Sequence, residues 1–140
     1  MIDVSELELR ILANLEEAGE ENVPALLNTI LLNADEESAY LDSYLKALQN
    51  LVTKDHVRLS TSRGSDRRLA DLSIANSLRE IEGQRGELIF DASEKLWRDK
   101  SRVGPPYGPT YPYVVLTKVG RALSIKVQTE RGYQWWAPNA

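Results

Sequence analysis

Three arginine side chains within six residues form the part of the sequence best suited to binding a charged ligand. Arg63, Arg67 and Arg68 surround the turn-forming segment Gly64-Ser65-Asp66. Guanidinium groups on a turn can bind phosphate groups, and three of them exceed what a turn needs. A solvated loop whose charges aid solubility is the alternative, and the sequence leaves both interpretations open.

Other side chains that often carry out chemistry lack suitable companions. The chain has a single histidine, His56, and no cysteine, so the sequence predicts no zinc site and no histidine-based catalytic triad. Adjacent acids such as Glu16 and Glu17 diverge by about 100° around a helix and do not converge on a substrate. There is also no glycine-rich phosphate loop and no Gly-x-Ser-x-Gly motif. We therefore expect no enzymatic activity, no cofactor and no metal.

The composition predicts a single domain, residues 1–140, with an uneven charge distribution. The 140 residues are 42% hydrophobic and 27% charged, with a net charge of −4. Residues 1–60 carry twelve acids and four bases, whereas residues 61–140 carry thirteen bases and nine acids. No apolar run is long enough to cross a membrane, and the N-terminus does not resemble a signal peptide. We expect a cytoplasmic protein without a membrane partner.

Residues 1–60 predict three helices and a strand. The pattern Ser5-Glu6-Leu7-Glu8 is typical of a capping box that begins the first helix, which Gly19 ends. The second helix begins near Asn22, tolerates Pro24 in its first turn, and breaks at 33–35. The third has Asn33 or Asp35 as its cap, Glu36 and Glu37 in its first turn, and an apolar stripe, after which 56–60 alternate as a half-buried strand. The stripe comprises Leu41, Leu45, Leu48, Leu51 and Val52.

The later part of the chain is more ambiguous. Helical periodicity returns from Asp71 to Leu96, and the glycines at 83 and 86 leave one interrupted helix and two short helices equally acceptable. Four bases interleave with Trp97 there: Lys95, Arg98, Lys100 and Arg102. An exposed amphipathic helix explains them better than a face that stacks on nucleic-acid bases. A Pro/Gly-rich loop at 101–112 precedes a strand at 113–116, a helix capped by Thr117, and an aromatic tail at 132–136 that forms a short strand or a clasp on the core.

Two segments carry a resemblance to a known family. The segment 44–59, YLKALQNLVTKDHVRL, looks like the end of a recognition helix entering the first wing strand in MarR-like and PadR-like regulators. The segment 113–123, YVVLTKVGRAL, is similar to their second wing strand and the following helix. The resemblance implies an α+β, mostly helical, winged-helix fold with a small antiparallel β wing. We expect a three-helix core and first wing strand at 1–60, an insertion with additional helices at 61–112, and the second wing strand, terminal helix and tail at 113–140.

This fold requires 56–60 to pair with 113–117, although 67–73 could supply the return strand instead. The long separation is acceptable because the entropy of loop closure grows only logarithmically with length.

The resemblance also implies a transcriptional regulator that binds double-stranded DNA. The predicted contacts are Arg63, Arg67 and Arg68 on the wing, with Ser43 and Lys46 on the third helix. That helix also carries Glu36, Glu37 and Asp42, and carboxylates repel phosphates. A protein–protein interaction module that uses the acidic face of the third helix, without DNA binding, is therefore the alternative function. The C-terminal aromatics and the amphipathic segment 71–100 further predict a homodimer.

Overall fold

The computed structural model describes residues 3–30, 38–60, 71–94, 96–99, 112–133 and 135, without the side chains of 38, 39 and 99. This part of the chain has an α+β architecture and is mostly helical. The helices are α1 (Val4–Ala18), α2 (Val23–Ile30), α3 (Ser38–Thr53), α4 (Ile74–Gln84) and α5 (Lys118–Arg131). The strands are β1 (Glu20–Asn22), β2 (Val57–Ser60), β3 (Leu88–Asp91), β4 (Leu96–Asp99) and β5 (Tyr113–Leu116).

The central sheet joins the two ends of the chain. It is antiparallel, with the strand order β1-β5-β2. Val57 is opposite Leu116 and Leu59 is opposite Val114, which confirms the predicted pairing of 56–60 with 113–117. The alternative pairing of β2 with 67–73 is represented by a bridge between Ser60 and Asp71, while 67–70 lie outside the described residues. The strand β1 was not predicted.

The first helix begins two residues earlier than the capping-box pattern indicates. Asp3 is the N-cap, and the Ser5 hydroxyl donates a hydrogen bond to its carboxylate, so the predicted capping box is wrong. Glu8 instead accepts a hydrogen bond from Lys54, which directly follows α3 and is 46 positions away in the sequence, so no local motif reveals this partner. Gly19 ends the helix with φ 85°, a conformation that favours glycine, as predicted.

The second and third helices form the core as the sequence predicts. The Asn22 side chain accepts the N–H of Ala25 at 2.8 Å, and Pro24 lies in the first turn of α2. All five predicted stripe residues of α3 are buried. Tyr44 is also buried and donates a hydrogen bond to the Val23 carbonyl at 2.6 Å, so it packs against α2. The predicted caps and first turn of the third helix, 33–37, lie outside the described residues.

The segment 88–99 is a β-hairpin, so the helix predicted through Leu96 is wrong. One helix, α4, ends before Gly86, and β3 then pairs antiparallel with β4. Asp91 fixes the turn, because its carboxylate accepts hydrogen bonds from the Ser93 N–H, the Ser93 hydroxyl and the Glu94 N–H. These local hydrogen bonds favour a turn over a helix at this point.

The hairpin also corrects the interpretation of the basic residues near Trp97. The Trp97 side chain is only 3% exposed and packs edge-on against Phe90, so it cannot stack on nucleic-acid bases. Arg98 forms an ion pair with Asp91 at 3.3 Å across the hairpin. Lys95, Lys100 and Arg102 lie outside the described residues.

Candidate nucleic-acid interface

The base of the β2–β5 ladder is fixed by a compact set of contacts. The His56 carbonyl accepts the N–H of Thr117 at 3.0 Å, and the Thr117 hydroxyl donates to the Asp55 carbonyl at 2.6 Å. The same hydroxyl accepts the N–H of Gly120 at 3.0 Å and so caps α5, as predicted. A Cβ at position 120 would overlap the His56 carbonyl oxygen, so the close approach requires glycine. Helix α5 is therefore seated directly on the start of β2.

The opposite end of the ladder anchors the arginine-rich segment. Ser60, the last residue of β2, bridges Asp71, and the Leu59 carbonyl accepts the N–H of Leu72 at 2.8 Å. The ten residues that separate this bridged pair, 61–70, include Arg63, Arg67 and Arg68. These three predicted site residues lie outside the described residues. The two described residues that flank this segment, Ser60 and Asp71, are paired at the edge of the central sheet.

The exposed side of α3 offers few groups that could contact DNA bases. Lys46 is exposed, and Ser43 is half-buried. Asp42 forms an ion pair with Arg85, and the Gln49 side chain donates a hydrogen bond to Glu82 at 2.8 Å. Both partners belong to α4.

Helix α4 packs against α3 and β2. Its Ile81 is fully buried in the core, and its Ser77 hydroxyl accepts the N–H of Leu59 at 3.1 Å. Hydrogen bonds from Arg85 and Gln49 lower the pKa of Glu82 below its ordinary value. Part of the α3 surface is consequently occupied by the insertion.

The hairpin covers a second part of the helical core. On α2, the Asn28 amide nitrogen donates to the Trp97 carbonyl at 2.9 Å, and its oxygen accepts the Trp97 N–H at 2.6 Å. The insertion therefore contacts both α2 and α3. No signal in the sequence singled out Asn28 or Arg85 as contact residues, because each contact joins positions more than forty residues apart.

Much of the acidity of α1 is neutralised by other helices. Glu6 pairs with Arg131 at 2.9 Å, Glu8 with Lys54 at 2.8 Å, and Glu16 with Arg121 at 3.5 Å. Three of the four acids of α1 are thus in ion pairs. The same pairs also occupy three cations, so they leave fewer bases available to attract DNA.

The aromatic tail contacts α5 and α1. The Arg131 guanidinium lies 4.5 Å from the centre of the half-buried Trp135 ring. Tyr133 is largely exposed, and its hydroxyl donates a hydrogen bond to Glu17 at 2.9 Å, which raises the pKa of this tyrosine. Trp136 lies outside the described residues.

Two further observations concern ligands and membranes. Among the described residues, no group of three or more His, Cys, Asp and Glu side chains could hold a metal ion. No described helix is both long enough and apolar enough to traverse a lipid bilayer.

Comparison of the chain with protein-family models, with curated proteins and with solved structures finds no match.

Proposed function

We propose that this protein is a winged-helix DNA-binding protein that acts as a transcriptional regulator and contacts duplex DNA mainly through its wing. The observation that carries the proposal is the order α1, β1, α2, α3, β2, β5 with the sheet order β1-β5-β2. A winged helix has three helices, a short strand after the first of them, and a two-stranded wing. The segment 61–112 is then an insertion within the wing.

The distribution of cations favours the wing over α3 as the contact surface. Attraction to phosphates supplies most of the sequence-independent binding energy. On α3, Lys46 is the exposed cation, while Asp42 and Gln49 are engaged by α4. The segment anchored at the Ser60–Asp71 bridge carries Arg63, Arg67 and Arg68. Ser43 and Lys46 remain secondary predicted contacts.

Fluorescence anisotropy with a random-sequence duplex at about 50 mM and about 200 mM salt tests the proposal. We expect binding at the lower salt concentration. Replacing Arg63, Arg67 and Arg68 with alanine should abolish it, and each lost phosphate contact lowers the salt slope by about 0.9. A matched variant that removes the same charge from exposed positions elsewhere, R79A/K118A/K126A, should retain most of the binding. Equal losses in both variants would contradict a role for the wing.

One observation favours a second function. The insertion occupies part of the α3 surface through Arg85 and Glu82, and a helix covered in this way is poorly placed to read bases. The second candidate is accordingly a protein-interaction module of the same fold. Failure of the wild type to bind duplex at about 50 mM salt would favour it over the DNA-binding role. The cytoplasmic location and the homodimer expected from the sequence remain predictions.

A further inference from the structure

Helix α4 lies along one flank of the exposed side of α3. Asp42 and Gln49 are seven residues apart and therefore share this flank. Asp42 forms an ion pair with Arg85, and the Gln49 amide donates to the Glu82 carboxylate at 2.8 Å. The position along α4 falls as the position along α3 rises, so the two helices run antiparallel. Lys46 is exposed between the two contacts on the same side of α3.

The other flank of the exposed side of α3 is bound by α1. The Asn50 amide donates to the Glu8 carboxylate at 3.3 Å, and the Lys54 ammonium donates to the same carboxylate at 2.8 Å. Asparagine and glutamine are the side chains that bind the edge of adenine with two hydrogen bonds. Gln49 and Asn50 are the two such residues of α3, and carboxylates of other helices hold both of them.

The combined width of α3 and α4 exceeds the width of the DNA major groove. A single helix with its side chains is about 10–12 Å across, and the groove is about 12 Å wide. The axes of packed helices lie about 8–10 Å apart, so the α3–α4 pair is about 18–22 Å across. Helix α4 cannot move aside without exposing Ile81, which is fully buried in the core. The side of α3 that carries Lys46 therefore stays outside the major groove.

We propose that this protein binds duplex DNA independently of its base sequence, with α3 outside the major groove and Lys46 on the phosphate backbone. The inference rests on the proposed function and narrows its ligand to duplex DNA of any sequence. A helix that reads sequence brings three or four side chains to base edges, whereas the amides of α3 are already engaged. A lysine binds phosphate as a point charge, and such a contact carries no sequence information.

Selection of bound duplexes from a random-sequence library tests the proposal. We expect no enriched motif in the bound pool. Anisotropy at about 50 mM salt should give dissociation constants that differ by less than about fivefold among three shuffled duplexes of equal length and composition, because a helix that reads bases produces about that difference for one mismatched base pair. An enriched motif or a larger difference would overturn this inference and leave the proposed DNA binding intact. No binding to any duplex would contradict both.

The variant K46A separates a phosphate contact from a base contact. Loss of a phosphate contact should weaken binding to all three duplexes by the same factor and lower the salt slope by about 0.9. The matched variant K126A removes an exposed lysine from α5, which packs on α1, and should leave the salt slope unchanged. A loss confined to one duplex would assign Lys46 to a base edge and overturn the proposal. An unchanged salt slope in K46A, or equal losses in K46A and K126A, would also contradict it.

Discussion

The side chain of Asn28 holds both main-chain polar groups of Trp97, a residue 69 positions away in the chain. Its amide nitrogen donates to the Trp97 carbonyl at 2.9 Å, and its oxygen accepts the Trp97 N–H at 2.6 Å. The Asn28 side chain thus bonds the two main-chain groups of Trp97 that a neighbouring strand would bond in a wider sheet. We call this pair of hydrogen bonds the Asn28 clamp. The contact secures the hairpin on α2 while the Trp97 ring completes the core.

Replacing Asn28 with alanine should destabilise the fold substantially. The change leaves two partly buried main-chain groups without partners, which costs about 2–4 kcal/mol in the free energy of unfolding. Urea unfolding followed by circular dichroism measures this effect. Asn76 is the matched control, because its exposed side chain accepts a hydrogen bond from Arg79, three residues along the same helix; N76A should cost less than about 0.5 kcal/mol. If N28A and N76A lose similar amounts of unfolding free energy, the hydrogen bonds between Asn28 and Trp97 do not stabilise the fold.

Substitution by alanine should change the stability of the fold in opposite directions at two glycines, Gly120 and Gly83. G120A places a methyl group on the His56 carbonyl, whose backbone must then move, so we expect a loss of about 3 kcal/mol or more. Gly83 lies in α4 with no heavy atom within 4 Å of an added Cβ, so G83A should stabilise by about 0.5–1 kcal/mol. Thermal unfolding of both variants checks the prediction. A stable G120A would contradict the close seating of α5 on β2.

The β2–β5 ladder is predictable from the sequence because alternating apolar and polar residues indicate a strand, and this pattern is local. Val57 and Leu59 alternate with polar residues, and Val114 supplies an apolar partner. The 52 residues between the two strands add little to the entropy of closure. The buried stripe of α3 is predictable for the same reason, since helical spacing alone places its leucines on one side.

Local sequence patterns do not predict the hairpin or the contacts that the insertion makes with α2 and α3. Leu88, Ala92 and Leu96 are spaced by four, which suits a helix, yet the Asp91 turn and the burial of Trp97 outweigh that preference. The Asn28 clamp depends on a tertiary contact for which no local pattern exists. The candidate wing contacts Arg63, Arg67 and Arg68 remain predictions.

The Asp91 turn should make stability dependent on acidic pH. Hydrogen bonds from the Ser93 side chain and the Glu94 N–H lower the pKa of this carboxyl below its ordinary 3.8. A carboxyl with a depressed pKa stabilises the fold above its unfolded pKa, and this contribution is lost as the pH falls through the folded pKa. Between about pH 6 and pH 3, the unfolding temperature of D91N should therefore decrease less than that of the wild type. An NMR titration should place the Asp91 midpoint below 3.8, and a midpoint at or above it would disprove the effect.

The final prediction separates the two proposed functions at the start of the third helix. Glu36 and Glu37 precede α3 in the sequence and lie outside the described residues. If this region faces the duplex, E36K/E37K removes repulsion and adds two cations, so non-specific binding should tighten. The salt slope should then steepen by about 0.9 for each new phosphate contact.

A control at Glu94, in the hairpin turn, and Glu130, on α5, separates proximity from net charge. E94K/E130K changes the charge by the same amount at exposed positions away from α3. Tighter binding in E36K/E37K alone supports a duplex that lies across α3, because a general change in charge would act in both variants. Equal tightening in both assigns the effect to net charge. No change in either variant, measured by anisotropy at about 50 mM salt, favours the protein-interaction function, in which the acidic residues face a protein partner.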